Sequence, residues 1–501
     1  MMMMMMTGMA KNWFQALPLG SMALARRLCT ERDGGEHKPL YRRLAVLGGD
    51  PKGSVEETMS EWLKEGRVVR ESDLMSIVRE LRRFKNYKIA LEVTDWMENK
   101  RLEITFSSHA LRLDLITKVR GLDMAERYFS SLPEPAKNQK TYGSLLNSYC
   151  QEKMEDEAIA LFDKLKELNF SSTLAYNNIM TLYLKLGQLE KVLAYFEEMK
   201  AANISPDTIT LGLLITCYGS RNDIASVERV MEEMKAQVYL TWNTYCNLAS
   251  CYNSAGLYKK TETALKKAEE VMNRRDRTPY NSLISLYAGA GNLADTVRLW
   301  KLLKASFPRT NNLSYHNMFH ALIRLDNMDG LKQCFKEWDS VCVNYDVKLL
   351  NSVIDAYLRK DMIEEAESLR ERGIEKGVGL DYRTLELFTD HYLGRNEMGS
   401  ALECLEVINC SEKQCEWKPN KEKVNAFLKY FEEVKDVDGA EKFCQILKKL
   451  NCLDAEACES LIRTYVAADR KEPSLHQRIK EDGIEISSET KELLERVCAI
   501  D

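Results

Sequence analysis

Residues 173–207 read TLAYNNIMTLYLKLGQLEKVLAYFEEMKAANISPD, and this stretch contains the pattern of two short amphipathic helices. Apolar residues fall three and four positions apart in its first half, which places them on one helix face: Tyr176, Ile179, Met180, Tyr183 and Leu184. Gly187 permits a left-handed turn after them. A second apolar stripe then runs to Met199, and Ser205-Pro206-Asp207 interrupts the chain. The stretch therefore predicts one helical hairpin.

The same pattern recurs along the chain with a period near 35. Tyrosine stands at the position equivalent to Tyr183 in several other stretches, at residues 149, 218, 252, 287, 357 and 392. A unit copied at a fixed period is typical of a solenoid, because neither helix of a single hairpin can bury its apolar stripe alone. We therefore predict an all-α fold, a helical-hairpin solenoid of about twelve repeats.

The period also divides the chain into segments. Repeats begin near residues 71, 106, 139, 173, 208, 242, 277, 312, 347, 382, 421 and 455. In this frame a small residue recurs where the second helix would cross the first, at Ala90, Ala125, Ala158, Thr261, Thr296, Ala366, Ala401 and Ala440. We expect an organellar transit peptide at 1–30, a linker and N-terminal cap at 31–70, the solenoid at 71–489 and a C-terminal capping helix at 490–501.

The first 30 residues have the composition of a targeting segment. They contain Lys11, Arg26 and Arg27 but no acidic residue, and they are rich in Met, Ala and Leu. Arg26-Arg27-Leu28-Cys29 resembles a mitochondrial processing site. We expect a protein of the mitochondrial matrix, with the chloroplast as the alternative location; an unstructured tail is the alternative interpretation of the segment.

Composition and motifs argue against several classes of function. No run of about 18 apolar residues occurs, so no membrane partner is expected. The 14 cysteines include no Cys-x-x-Cys pair, which favours free thiols over disulfides or zinc sites. His316 and His320 lie one helical turn apart without an acidic or thiol partner beside them. The chain also lacks a glycine-rich phosphate loop and a His-Glu-x-x-His motif. We expect no enzymatic activity, no cofactor, no metal and no small-molecule substrate.

Several repeat columns resemble one family of helical repeats. Tyr176-Asn177, Tyr280-Asn281 and Glu197-Glu198-Met199 with Pro206-Asp207 resemble the pentatricopeptide repeat, and the resemblance covers residues 71–489. The Trp/Leu-Gly/Tyr pattern of tetratricopeptide repeats is absent. The stretches at 47–69 and 111–129 resemble a plant mitochondrial branch of the pentatricopeptide family, in the class with uniform 35-residue units.

The resemblance implies a partner and a set of contact residues. Members of the family bind single-stranded RNA along a concave face, about one base per repeat. Position 5 of each repeat and its last residue contact the base edge. Carried over to this chain, the uridine-type pairs are Asn177 with Asp207, Asn351 with Asp381, and Asn425 with Asp454, and the cytidine-type pair is Asn281 with Asn311. The resemblance further implies phosphate contacts from Lys185, Arg324 and Arg359. The alternative is that these asparagines are ordinary polar residues near helix starts.

The remaining repeats lack such a pair, and charge does not favour RNA either. Ala110, Gly143 and Gly212 occupy position 5 in three of them. The formal net charge is −5, and removal of the three basic residues in 1–30 would make it −8.

Three functions stay open at this point. The first is a mitochondrial protein that binds single-stranded organellar RNA and acts in its processing, stabilisation or translation. The second is a structural subunit of the mitochondrial ribosome or of another RNA–protein assembly. The third is a cytosolic peptide-binding scaffold.

Overall fold

The computed structural model describes residues 40–48, 53–102, 105–106, 108–235, 238–342, 345–377, 382–410 and 418–499. Within these ranges the chain forms 27 α-helices and one short 3-10 turn, and it contains no strand. The expected transit peptide at 1–30 lies outside the described residues. The helices fall into two compact units, residues 1–272 and residues 273–501.

The first unit contains fourteen α-helices in its described part. Two precede the repeats, α1 (Leu40–Leu47) and α2 (Val55–Lys64). Six hairpins follow: α3 (Glu71–Arg83) with α4 (Tyr87–Asn99), α5 (His109–Arg120) with α6 (Leu122–Ser131), α7 (Gln139–Glu152) with α8 (Glu155–Glu167), α9 (Thr173–Leu186) with α10 (Leu189–Ala201), α11 (Thr208–Ser220) with α12 (Ile224–Lys235), and α13 (Trp242–Ser254) with α14 (Tyr258–Val271).

The second unit continues the pattern over its own described ranges. Its hairpins are α15 (Arg277–Gly289) with α16 (Leu293–Ser306), α17 (Asn312–Arg324) with α18 (Met328–Val341), α19 (Val347–Arg359) with α20 (Ile363–Glu375), α21 (Tyr382–Gly394) with α22 (Met398–Cys410), α23 (Lys421–Val434) with α24 (Val437–Lys449), and α25 (Ala455–Ala467) with α26 (Leu475–Glu481). Helix α27 (Ser488–Cys498) comes last. In each unit, the first helices of most successive hairpins pack side by side, so the helical-hairpin solenoid is confirmed.

Local sequence explains where each hairpin begins and turns. Ser172 caps α9, because its hydroxyl accepts a hydrogen bond from the backbone N–H of Ala175 at 3.3 Å. Gly187 ends the same helix in the left-handed conformation, with φ of 74°, as its position in the sequence predicts. Between these two signals, four residues of the stripe are buried, Tyr176, Ile179, Met180 and Tyr183, and Leu184 is half-buried.

Small residues at the helix crossings are confirmed as close-packing positions. All eight are buried, with at most 2% of their surface exposed: Ala90, Ala125, Ala158, Thr261, Thr296, Ala366, Ala401 and Ala440. A larger side chain at such a site must push the two helices apart, because protein interiors leave almost no free volume.

We expect Ala158→Leu to destabilise the first unit by about 1–3 kcal/mol, since the added carbons would overpack the α7–α8 crossing. Ala160→Leu on the exposed face of α8 is the matched control and should leave stability nearly unchanged. Urea unfolding followed by circular dichroism measures both variants. Equal midpoints for the two would contradict close packing at this column.

Three of the recurrent tyrosines join neighbouring hairpins through their hydroxyl groups. Tyr149 donates to Glu126 Oε1 at 2.8 Å, and Tyr252 donates to Glu228 Oε1 at 3.0 Å. Each glutamate lies on the second helix of the preceding hairpin. The second unit repeats this contact at 2.9 Å between Tyr392 and Glu367. The tyrosine rings thus fill the core, while their hydroxyls hold the spacing between one hairpin and the next.

A buried arginine in the first unit has no equivalent in the repeat pattern. Arg112 is 5% exposed, and its Nη2 donates to Asp95 at 3.0 Å and to Glu98. Its guanidinium also lies over the Tyr128 ring, 5.1 Å from the centroid. These contacts connect α5 to α4 and α6, and they compensate part of the cost of burying the charge.

Buried thiols lower the stability of the fold at alkaline pH. Burial raises the pKa of Cys150, Cys246 and Cys251 from an ordinary value of 9.0 to about 12. The unfolded chain releases these protons at lower pH than the folded chain does. Their contribution to stability is therefore complete below pH 9 and is lost as the pH rises towards 12.

We expect the thermal unfolding midpoint of the protein to fall between pH 9 and pH 12, and to fall less steeply in Cys246→Ala, which lacks one such thiol. Differential scanning calorimetry at constant ionic strength measures both slopes. Identical slopes for the two proteins would contradict the assigned thiol contribution.

Candidate nucleic-acid interface

Position 5 of three repeats carries an asparagine on the first helix of a hairpin. Asn177 lies on α9, Asn281 on α15 and Asn351 on α19, each at the fifth residue of its helix. All three are buried, with 2%, 8% and 8% of their surface exposed. They lie beside the first helix of the next hairpin. We call the contact surface between the first helices of two successive hairpins the seam, and it determines what each amide can contact.

Asn177 and Asp207 are brought together across such a seam. The Asn177 amide donates from Nδ2 to Asp207 Oδ1 at 3.0 Å. Asp207 is the exposed N-cap of α11, and the same Oδ1 accepts from the backbone N–H groups of Ile209 and Thr210, each at 2.9 Å. The carboxylate is thus held in place by the helix start that follows it.

Thr210 completes this group of polar atoms. Its hydroxyl lies 2.8 Å from Asn177 Oδ1 and 3.0 Å from Asp207 Oδ1. The hydroxyl also accepts from the backbone N–H of Asp207 at 3.1 Å, which makes Asp207 and Thr210 a capping box. Thr210 is fully buried.

The repeat of Asn351 shows the same threonine contact. Thr384 Oγ1 donates to Asn351 Oδ1 at 2.7 Å, and Thr384 is fully buried. The expected partner Asp381 lies outside the described residues, so the geometry of this pair rests on Asn351 and Thr384 alone.

Asn281 and Asn311 are arranged differently. Asn311 is the exposed N-cap of α17, and its side chain accepts from the backbone N–H of Ser314 at 3.1 Å. Neither Asn281 Oδ1 nor the Ser314 hydroxyl has a hydrogen-bond partner, although both atoms are buried. The structure therefore shows no direct link between this asparagine and the cap of the next hairpin.

The fourth expected pair is not assembled. Asn425 is exposed on α23, and Asp454 caps α25 by accepting from the backbone N–H of Ala457 at 3.0 Å. Ala457 occupies the position of Thr210 and carries no hydroxyl. No hydrogen bond joins Asn425 to Asp454, both of which are described residues.

The three expected phosphate-contacting residues all contact protein groups. Lys185 Nζ lies 2.6 Å from Gln151 Oε1 and 3.4 Å from the carbonyl oxygen of Cys150. Arg324 Nη2 lies 3.5 Å from the carbonyl oxygen of Gly289, and Arg359 Nη2 lies 2.8 Å from the Asp355 carboxylate. Lys185 and Arg324 thus approach the C-terminal end of the preceding first helix, where a cation is favoured.

Thr210, Thr384 and Ser314 are the polar residues that sequence analysis missed. Each follows its asparagine by 33 residues, in the next hairpin. The signal that could have found Thr210 is the spacing Asp207-x-x-Thr210, since a hydroxyl three residues after a cap residue is a helix-start pattern. That spacing alone does not show that the hydroxyl reaches back to the preceding repeat.

The described part of the chain contains two neighbouring histidines but no larger cluster of metal-ligating side chains. It holds no group of three or more His, Cys, Asp or Glu side chains placed to bind a metal ion. His316 and His320 face each other with 3.2 Å between their Nε2 atoms, and burial lowers the pKa of both rings. None of the described helices has the length and apolar character needed to cross a bilayer.

Comparisons with known proteins agree with this architecture. A family model described as the PPR repeat matches residues 140–170, 278–306 and 349–378, and one described as the PPR repeat family matches residues 171–218. A mitochondrial pentatricopeptide repeat-containing protein of Arabidopsis thaliana is 41% identical over 466 residues, which cover 92% of this chain and 93% of the relative. The chain belongs to the PPR repeat family.

Two further Arabidopsis thaliana relatives of this PPR protein are similar over most of its length. A second mitochondrial pentatricopeptide repeat-containing protein is 40% identical and covers 92% of this chain and 87% of the relative. The large ribosomal subunit protein mL101 is 39% identical over 466 residues, with 92% of this chain and 95% of the relative covered. The expected mitochondrial location is confirmed by these mitochondrial relatives.

We expect Asn177→Ala to cost about 1–3 kcal/mol of stability, because it leaves the buried Thr210 hydroxyl with one partner fewer. Asn281→Ala should cost less, since the Asn281 amide oxygen it removes has no partner. Urea unfolding of each single variant gives the two values. A greater loss for Asn281→Ala would contradict the described difference between the two seams.

Proposed function

We propose that this PPR protein is a non-enzymatic mitochondrial RNA-binding protein. It binds single-stranded organellar RNA on the surface formed by the first helices, and it acts in RNA processing, stabilisation or translation. The proposed base contacts are Asn177 with Asp207, Asn281 with Asn311, Asn351 with Asp381, and Asn425 with Asp454. Lys185, Arg324 and Arg359 are the proposed phosphate contacts, through exchange of their protein partners for RNA.

The main support for this proposal is the pairing of Asn177 with Asp207. Two residues from successive hairpins, 30 positions apart, meet at 3.0 Å with a donor beside an acceptor. Asp207 uses only Oδ1 for its contacts with described residues and is exposed, so Oδ2 is available to a ligand. A nucleobase edge presents the complementary arrangement of acceptor and donor.

The asparagines differ in how readily a base reaches them. Asn425 is exposed, whereas Asn177 is 2% exposed and already engaged on both sides of its amide. Contact with Asn177 therefore requires the base to enter from the Asp207 side, where the remaining amide hydrogen and Oδ2 lie. Because of this restriction, we expect a few repeats to select their bases, and we do not expect every repeat to match one base of a continuous RNA sequence.

We expect the full chain to enrich particular single-stranded RNAs from a random 20-nucleotide pool, and the triple variant Asn177→Ala/Asn281→Ala/Asn351→Ala to lose about tenfold or more of that selectivity. Sequencing of the bound fraction measures the enrichment. Lys301→Ala on the exposed face of α16 is the control and should retain it. Unchanged selectivity in the triple variant would overturn the base-contact assignment.

A second function is favoured by a specific relative and by the geometry of the surface. The ribosomal protein mL101 is similar over nearly the whole chain. Lys185 and Arg359 are engaged with protein groups, and the net charge is negative, so attraction of a free RNA is weak. A structural subunit of the mitochondrial ribosome, or of another assembly, would need little base selection.

Sedimentation of mitochondrial extract separates these two functions. A transcript-binding protein should leave the fast-sedimenting fractions after mild ribonuclease treatment that cleaves exposed single strands. A ribosomal subunit should stay with the large subunit under the same treatment. Release by ribonuclease would therefore exclude the structural function, and retention with the large subunit would support it.

A further inference from the structure

We propose that the buried hydroxyl residue of the following hairpin, Thr210 for Asn177 and Thr384 for Asn351, is a positioning residue that fixes the orientation of the asparagine amide and so selects the base. This inference rests on the base-contacting role proposed above. It adds a third residue to each of these two contacts, one that does not touch RNA.

An asparagine amide has an acceptor on one side and two donor hydrogens on the other. Rotation of its plane by half a turn exchanges them with little change in shape, so the side chain offers a donor or an acceptor depending on its neighbours. A selective contact therefore needs a partner that permits only one of the two orientations.

The atoms around Asn177 permit only one. Asp207 Oδ1 accepts from the backbone N–H groups of Ile209 and Thr210, and the Asn177 amide nitrogen faces the same oxygen as a third donor. The Thr210 oxygen already accepts from the backbone N–H of Asp207, which leaves the hydroxyl hydrogen to donate. Two acceptors lie within reach of that hydrogen, Asn177 Oδ1 at 2.8 Å and Asp207 Oδ1 at 3.0 Å, and the contact with the nearer one holds the amide oxygen inside the seam.

The fixed orientation determines which base edge fits. Asn177 can offer only its second N–H to a ligand, next to the Asp207 carboxylate oxygen that accepts. Uracil presents a carbonyl acceptor beside its N3–H donor, and both of its groups are satisfied by this pair. In the register that fits uracil, cytosine would place its amino group against the Asn177 N–H and its unprotonated N3 against the Asp207 carboxylate, and a turned amide would relieve the first of these two mismatches. Thr210, together with Asp207, thus disfavours cytosine by preventing the turn that would relieve this mismatch.

The other repeats supply a natural comparison within the same chain. Asn351 keeps the threonine contact, at 2.7 Å from Thr384. Ser314 replaces the threonine beside Asn281, and there the serine hydroxyl and the amide oxygen are both buried without partners. Serine lacks the γ-methyl group that restricts the threonine rotamer, so its hydroxyl is less strongly directed towards the asparagine. Asn281 is therefore free to present either side of its amide.

The chain also offers a control that separates positioning from stability. Thr244 forms a capping box with Thr241 at the start of α13 and is 1% exposed, as buried as Thr210. The preceding repeat carries Gly212 at position 5, which has no side chain to orient. Thr210→Val and Thr244→Val remove the same capping hydroxyl, but only the first removes a contact to an asparagine.

The test compares Asn177→Ala, Thr210→Val and Thr244→Val in the full chain, each bound to the random 20-nucleotide single-stranded RNA pool. Asn177→Ala should abolish the base preference at one position of the bound RNA. That position is the one that this repeat contacts. We expect Thr210→Val to reduce the ratio of uridine to cytidine at that position by about tenfold while the bound fraction stays measurable. Thr244→Val should also lower the thermal midpoint, but by less than Thr210→Val because no asparagine amide loses a partner, and it should leave every ratio unchanged. Ser314→Thr should sharpen the preference at the position that Asn281 contacts.

Each other result overturns the inference in a distinguishable way. If Asn177→Ala abolishes a preference that Thr210→Val keeps, the base contact stands and the positioning role is wrong. If Thr244→Val and Thr210→Val shift the ratios equally, the effect is one of stability alone. If Asn177→Ala changes no preference, the proposed base contact itself is wrong, and the positioning role falls with it.

Discussion

The structure depends on one constraint: the apolar stripe of a first helix can be buried only between the first helices of neighbouring hairpins. Ile179 and Met180 are completely buried, and no part of their own hairpin could cover them alone. The seam between hairpins is consequently the place where the core lies. It is also where the polar groups near position 5 are buried, and those that find a partner there, such as the Asn177 amide, avoid the cost that the unpaired Asn281 amide oxygen carries.

This constraint explains how structure and recognition share the same residues. Asn177 contacts Thr210 across the seam, and it also contacts Asp207, its partner in the proposed base contact. The tyrosine hydroxyls hold the spacing of the hairpins by a separate set of contacts, as between Tyr252 and Glu228. Substitutions in the tyrosine contacts should therefore change stability, whereas those around Asn177 change stability and base selection together.

Sequence reasoning recovered the scaffold because its signals are local and periodic. The glycine turn at Gly187 and the small residues such as Ala366 are properties of a single hairpin repeated in register. The buried cluster of Arg112 was not predictable, since its partners Asp95 and Glu98 lie in the preceding hairpin and belong to no repeated column. The partnership of Asn177 with Thr210 was missed for a different reason: the spacing of Thr210 from Asp207 predicts a contact within the helix start and does not show that the hydroxyl also reaches Asn177. The exposure of Asn425 could not be predicted from the sequence either, because it depends on how closely the start of α25 approaches α23.

Crosslinking of RNA to the full chain, followed by mass spectrometry of the modified peptides, tests the central claim most directly. The account predicts that ultraviolet crosslinks concentrate on first helices, above all on peptides that contain residues 173–186, 277–289 and 347–359. Crosslinks confined to second helices, such as residues 155–167 or 293–306, would contradict it.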